Sequence, residues 1–297
     1  MLVSLVFDLK PRGFGVVAYY FKKILESKGH NIILTSIFNP DISVLEKSNR
    51  IIVISDWYTG QLFASQYVKY KDKLIGHLVT EGSILPSTFN YRRILVPSKF
   101  VQEQFKKIGV DTVLVPQGID TKLFRPQLTP KFYDALAIGI VESENDKRKN
   151  LDIAGKVQEI LGDKYKVHIH SKPTFDYESL PLLYNASRIY LALSGSEGFD
   201  IPALEAMSCG IPVIYSEADV HLEVLTGLVA KTEKVEEKVL GPWKFQNKIP
   251  SANDVAEKIK QLLTDKTLYE KLSRDSRNRA LKHDYRKTYA NIEELIE

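Results

Sequence analysis

Short apolar runs alternate with amphipathic segments along the first part of the chain. The apolar runs predict strands at residues 1–7, 31–37, 50–55, 73–79, 93–96 and 113–115. Between the first two runs, Val17, Tyr20 and Ile24 have helical spacing, and Gly29 ends this predicted helix. Strands that alternate with helices predict a parallel sheet with helices on both of its faces.

The same alternation restarts after Pro126. Strands are predicted at 133–140, 166–170, 189–193 and 211–215, with helices at 151–161, 180–186 and 202–208. The chain then ends in helical segments. This pattern predicts two α/β domains, residues 1–125 and 126–274, and the length of 297 residues suits two domains of this size.

The composition favours a cytoplasmic protein. Cys209 is the single cysteine, so no disulfide can form within the chain. The apolar stretch from Met1 to Phe7 stops at Asp8, which is too short for a signal peptide or a membrane span. We therefore expect a protein that is soluble or attached to a membrane only at its surface.

Positive charge is concentrated in the first domain. Residues 1–125 hold 17 Lys and Arg against 10 Asp and Glu, a net charge of +7, whereas the remainder holds 24 against 27, or −3. Basic residues such as Lys69, Arg92 and Lys106 form either a solvated surface or a face for an anionic membrane or a phosphate-bearing acceptor. Nucleic acid is not an expected partner.

Residues 194–215 carry the most specific chemistry. A predicted strand leads into a loop with Gly195 and Gly198, and Pro202 stands where a helix begins. Such a loop and helix start offer backbone N–H groups to phosphate. The carboxylates of Glu197, in the loop, and Glu205, expected on the first helical turn, are good acceptors for sugar hydroxyls.

This segment, EGFDIPALEAMSCGIPV, resembles the motif EGFGxPxxEAxxxGxPV of retaining GT-B glycosyltransferases, in particular glycosyltransferase family 4. The resemblance places Glu197 near the transferred sugar and Glu205 on the nucleotide ribose. Gly198 and Phe199 match the motif at donor-binding positions. Asp200 replaces a glycine, and it either adds a negative charge near the diphosphate or caps the following helix.

Other segments extend the resemblance, which is strong over residues 96–230. Residues 96–126 resemble the stretch that joins the two domains of the family. Gly139 matches the start of a "GR" motif whose arginine is replaced by Ile140. Arg148 and Lys149 resemble the site that contacts the donor diphosphate. Lys149 is the first choice for that role, and Arg148 would replace the missing arginine.

Weaker signals lie in the first domain. Gly13 and Gly15 fit G-x-G-x-x-A, but Asp8 to Arg12 separate them from the strand, so a dinucleotide fingerprint is not favoured. The resemblance places this loop near the donor phosphates and the acceptor. Glu81 follows the fourth strand and would orient the acceptor or act as a base, or else it belongs to a plain turn.

The resemblance implies a GT-B fold, in which two Rossmann-like domains face each other across a cleft and the final helix, about 275–297, returns to the first domain. The implied reaction is transfer of a sugar with retention from a nucleoside diphosphate-sugar, without cofactor. Because no D-x-D triplet occurs, we expect no metal requirement. The acceptor, whether carbohydrate, lipid-linked or protein, is not indicated. The alternatives are a nucleotide-sugar 2-epimerase and an inactive nucleotide-sugar-binding module.

Overall fold

The computed structural model describes residues 1–10, 13–139, 148–171 and 176–297 of the chain, with the side chain of residue 240 left out. The described chain divides into two compact units. Unit 1 comprises Met1–Gly118 and Tyr285–Glu297, and unit 2 comprises Ile119–Asp284. The predicted boundaries, at 125 and about 275, therefore differ from the observed ones by seven to ten residues.

Unit 1 is built on a six-stranded parallel sheet, whose order is β2-β1-β3-β4-β5-β6. Its strands are β1 (Leu2–Phe7), β2 (Asn31–Ser36), β3 (Arg50–Asp56), β4 (Leu74–Val79), β5 (Arg93–Val96) and β6 (Val113–Leu114). Its helices are α1 (Phe14–Ser27), α2 (Ile42–Lys47), α3 (Trp57–Gln66), α4 (Lys99–Lys107), α11 (Tyr285–Thr288) and α12 (Ile292–Ile296). The predicted parallel sheet is confirmed, and β4 is buried along its whole length because helices cover both faces.

Three arginines of unit 1 bind the C-terminal segment. The guanidinium of Arg50 donates to the backbone carbonyls of Ile296 and Glu297, Arg92 donates to that of Glu297 at 2.9 Å, and Arg93 donates to that of Leu295. Cationic side chains at the end of a helix satisfy carbonyls that have no partner within it. Part of the positive charge of the N-terminal half therefore holds the chain's own C-terminal segment.

Unit 2 contains a five-stranded parallel sheet of order β11-β10-β9-β7-β8 and a two-stranded hairpin. The sheet strands are β7 (Tyr133–Ile138), β8 (Val167–His170), β9 (Ser187–Ala192), β10 (Val213–Ser216) and β11 (Leu228–Ala230), and the hairpin strands are β12 (Thr232–Leu240) and β13 (Trp243–Pro250). The helices are α5 (Leu151–Leu161), α6 (Leu180–Asn185), α7 (Ile201–Ser208), α8 (Asp219–Val224), α9 (Ala252–Thr264) and α10 (Lys266–Ala280).

Arg277 explains why the unit boundary falls before residue 125. Its guanidinium donates to the carbonyls of Thr121, Phe124 and Ser208, which ties residues 121–124 to α7 and α10. Thr121 also donates to the Asp284 carboxylate. These side-chain bonds hold the connecting segment in unit 2, and a composition change at Pro126 does not reveal them.

Strand order places the site of unit 2. The strand β7 lies between β8 and β9, and the chain leaves β7 towards β8 but returns on the other side to form β9. At such a reversal the loops after the two central strands diverge, and ligands of open parallel sheets bind at this place. None of the described helices is long and apolar enough to cross a membrane.

Candidate functional site

The residues predicted to handle the diphosphate and the sugar meet at the reversal point of unit 2. Arg148 and Lys149 follow β7, and Glu197 lies in the loop between β9 and α7. Residues 194–200 form what we call the donor loop. Because β7 and β9 are parallel neighbours, their following loops meet at one edge of the sheet.

Glu197 forms ion pairs with both cations. Its Oε2 lies 2.7 Å from a guanidinium nitrogen of Arg148, and its Oε1 accepts a hydrogen bond from Nζ of Lys149. The glutamate side chain is 8% exposed, whereas the arginine and lysine side chains are 16% and 21% exposed. The two cations are therefore more accessible to solvent than the carboxylate between them.

The charges of this cluster set the ionisation of Glu197. Burial by itself would raise its pKa, but the adjacent Arg148 and Lys149 outweigh burial and lower the pKa from 4.5 to about 2. The carboxylate is therefore ionised throughout the physiological range. Two cations against one carboxylate leave one positive charge in excess, which suits an anionic ligand.

Asn150 fixes the two cationic residues against the donor loop. It adopts a left-handed conformation, with φ of 47°, and its side chain donates to the carbonyl of Leu193 at 2.9 Å. The backbone N–H of Gly195 donates to the carbonyl of Arg148, also at 2.9 Å. Because asparagine tolerates the left-handed region better than most residues, it suits this turn before α5.

The hairpin β12–β13 supports the donor loop from another side. Lys248 donates its backbone N–H to the carbonyl of Gly195 at 3.1 Å. The side-chain amide of Asn247 donates to the side-chain oxygen of Asn150, also at 3.1 Å. A β-carbon at residue 195 would collide with Asn247 and Lys248, so this position requires glycine. Sequence reasoning did not predict this hairpin or its contacts with the site.

Glu205 lies behind the donor loop in a separate environment. It is the fifth residue of α7 and so lies on the second helical turn, where the first turn was expected. Its two carboxylate oxygens accept hydrogen bonds from the hydroxyls of Tyr177 and Tyr184, each at 2.8 Å. Burial raises the pKa of Glu205 to about 7, although both tyrosine bonds oppose the rise.

Asp200 caps α7, as one of the two sequence interpretations proposed. Its Oδ1 accepts the backbone N–H of Ala203 at 3.2 Å, and its Oδ2 lies 2.9 Å from Nε2 of His221. Its negative charge thus faces a helix start and a histidine. Phe199 packs edge-on against His283, with ring centroids 5.9 Å apart. Gly198, which precedes Phe199 in the loop, is buried.

The remaining predicted residues belong to unit 1. Gly13 has a φ of 47° and precedes α1, and a β-carbon at Gly15 would collide with the carbonyl of Lys10. Both glycines are thus explained by the local backbone, and their predicted place near a donor remains a prediction. Glu81 lies in a turn closed by hydrogen bonds between Thr80 and Gly82. Ile140 lies outside the described residues.

Comparison with known proteins finds similarity to glycosyltransferases. Residues 137–279 match the model of the family Glycosyl transferases group 1. A putative glycosyltransferase of Sulfolobus islandicus filamentous virus is 29% identical over 200 residues, which cover 64% of this chain and 60% of that protein.

Solved structures share the fold over the whole chain. Sucrose-phosphate synthase of Thermosynechococcus elongatus has a TM-score of 0.70 and 16% identity, covering 99% of this chain and 98% of its own. Anabaena HepE, solved in complex with UDP and glucose, has a TM-score of 0.69 and 14% identity, covering 100% and 99%. The match of residues 137–279, all within unit 2, and the two parallel α/β sheets make the chain similar to glycosyltransferases of the GT-B fold.

Proposed function

We propose that the chain transfers a sugar from a nucleoside diphosphate-sugar, bound by unit 2, to an acceptor hydroxyl with retention of anomeric configuration. The observation that carries the proposal is the buried Glu197 between the accessible cations Arg148 and Lys149 at the reversal point of a parallel sheet. Retention is supported by the likeness of residues 197–213 to the motif of retaining enzymes.

The two cations supply the chemistry of the leaving group. In the transfer, the bond between the anomeric carbon and the β-phosphate oxygen breaks, and the diphosphate departs with an added negative charge. The acceptor oxygen bonds to the anomeric carbon and releases its proton to water. Lys149 and Arg148 stabilise the departing charge, and this stabilisation is worth most in a partly buried site. In this proposal the reaction requires no metal ion and no cofactor.

Glu197 and Glu205 would each recognise a different part of the donor, the transferred sugar and the ribose respectively. We place Glu197 against hydroxyls of the transferred sugar, since a carboxylate whose pKa is lowered to about 2 remains an acceptor at all working pH values. Glu205 would accept the ribose hydroxyls, because each carboxylate oxygen can accept one hydrogen bond beyond that from Tyr177 or Tyr184. Replacing Glu205 by alanine should weaken nucleotide binding by about 1.5–3 kcal/mol, and an unchanged affinity would remove this assignment.

The comparisons support a nucleotide-sugar donor but leave its identity open. HepE was solved with UDP and glucose, whereas a mycobacterial relative, 24% identical over 167 residues, is described as GDP-mannose-dependent. We expect action in the cytoplasm on a carbohydrate, lipid-linked or protein acceptor. Attachment to an anionic membrane through Lys69, Lys71 or Lys106 remains part of the proposal.

The decisive experiment incubates the full chain with UDP-glucose or GDP-mannose and follows release of the nucleoside diphosphate. Transfer is expected with one donor, and the Glu197→Gln variant should lose it. The control variant is Glu236→Gln, which removes a partly exposed glutamate also paired with two lysines, Lys234 and Lys238. Conversion of the donor sugar without acceptor would identify an epimerase, and binding without turnover would identify an inactive module.

A further inference from the structure

A buried polar chain joins the two ends of the donor loop. The hydroxyl of Ser216, at the end of β10, donates to the carbonyl of Ser194, where the loop begins. The same hydroxyl oxygen lies 3.0 Å from Nδ1 of His221 in α8. On the opposite side of the ring, Nε2 lies 2.9 Å from Oδ2 of Asp200, where the loop ends. All four residues are at least nine-tenths buried.

The direction of these hydrogen bonds places a proton on Nδ1 of the ring. A carbonyl oxygen only accepts, so the hydroxyl proton of Ser216 points towards Ser194, and the oxygen is left to accept from Nδ1. An ionised carboxylate also only accepts, and Oδ1 of Asp200 already accepts the Ala203 N–H. With Asp200 ionised, Nε2 donates as well, and a histidine that donates from both nitrogens is an imidazolium.

The surroundings of His221 balance this charge. Asp200 is in contact with the ring, and Glu197 is the other acidic group of the loop whose ionisation His221 influences. Arg148 and Lys149 already neutralise Glu197. The ring of Tyr215, from β10, lies edge-on to the imidazole at 6.2 Å. Asp200 thus supplies the counter-charge that a buried imidazolium requires.

We propose that His221 is a positioning residue, held as an imidazolium by Asp200, which ties both ends of the donor loop and so fixes Glu197 relative to Lys149. A displacement of reacting groups by about 1 Å can cost about 100-fold in rate, so a tie of this kind affects turnover without contact with the substrate. The consequence for turnover rests on the proposed function, whereas the protonation state and the order of the loop do not.

The protonation state is tested by nitrogen NMR of the full chain with labelled histidine at pH 7.5. The signal lost in the His221→Gln variant is expected to show both ring nitrogens protonated. In the Asp200→Asn variant, the same histidine is expected to become neutral. His168 is an internal reference, because burial, with help from His170 and Lys166, lowers its pKa and leaves it neutral. A neutral His221 in the wild-type chain would overturn the proposal, even with Asp200 carrying the proton.

The positioning role is tested by hydrogen exchange of the peptide that covers residues 194–200. Both His221→Gln and the milder Ser216→Ala, which keeps the pair with Asp200, should speed exchange about tenfold or more, whereas His168→Gln should leave it unchanged. With a donor in hand, His221→Gln should lower kcat/KM by about 10- to 100-fold. Unchanged exchange in both variants would overturn the role as a tie, independently of whether any sugar is transferred.

Discussion

Replacement of Glu197 by glutamine tests the electrostatics of the candidate site. The change keeps the shape of the side chain but removes the charge that balances Arg148 and Lys149. The two cations lower the pKa of Glu197 from 4.5 to about 2, and a difference of about 2.5 corresponds to about 3 kcal/mol, at about 1.4 kcal/mol per pH unit. Loss of one partner from a buried ion pair typically costs about 3–5 kcal/mol. We expect Glu197→Gln to cost about 3 kcal/mol, the lower end of this range, because both cations are partly exposed to solvent.

The assay is thermal unfolding of wild type and Glu197→Gln between pH 3 and pH 8. A loss of about 3 kcal/mol should lower the Tm of unit 2 by about 6–12 °C at pH 7. Since the folded pKa lies below the unfolded one, the stabilisation is present above pH 4.5 and is lost as the pH falls towards 2. The gap between the curves should therefore close in acid. Equal Tm values at pH 7, or a gap as large at pH 3, would refute the reasoning.

Three further outcomes follow from the same site. Lys149→Ala and Arg148→Ala should each reduce turnover more than nucleoside binding. In steady-state kinetics, the fold-loss of turnover in the double variant should be smaller than the product of the two single fold-losses. Activity should survive excess EDTA, and loss that manganese or magnesium restores would contradict this. The raised pKa of Glu205 favours the protonated folded form, so the free energy of unfolding of wild type should fall by about 3 kcal/mol as the pH rises from 4.5 through 7. Glu205→Gln should abolish this fall. Parallel curves of unfolding free energy against pH for the two proteins, from urea unfolding, would contradict the prediction.

The sequence predicted the architecture of both units and the centre of the site because these depend on local patterns. Apolar runs identified all six strands of the first sheet and four of the five strands of the second, missing β11, and the motif around Glu197 identified the donor loop. The resemblance linked Arg148 and Lys149 to this loop. The structure confirms the contact, because Arg148 donates to Ser196 and Lys149 to Glu197, each 48 residues further along the chain.

The supporting residues could not be predicted in the same way, because their roles depend on contacts between distant segments. His221 has no motif of its own, and only the fold brings it to Asp200. Asn247 lies 97 residues from Asn150 in a hairpin that sequence reasoning did not predict. Arg92 was interpreted as part of a solvated surface or of a face for an anionic partner. In the fold, Arg92 and Arg93 bind carbonyls that lie more than 200 residues away in the chain. The alternation of hydrophobic and polar residues carries no information on such pairs.

The central claim is that Arg148 and Lys149 bind the diphosphate of a donor nucleotide. Titration calorimetry of UDP and GDP, each beside its bare nucleoside, tests this claim without an acceptor or a known sugar. Wild type should bind one diphosphate far more tightly than its nucleoside. The double variant Arg148→Ala/Lys149→Ala should lose about 100-fold or more of that affinity, at about 1.5–3 kcal/mol per charge-assisted bond, and leave nucleoside binding unchanged. Equal affinity of wild type and double variant for both diphosphates, or no binding by wild type, would contradict the account.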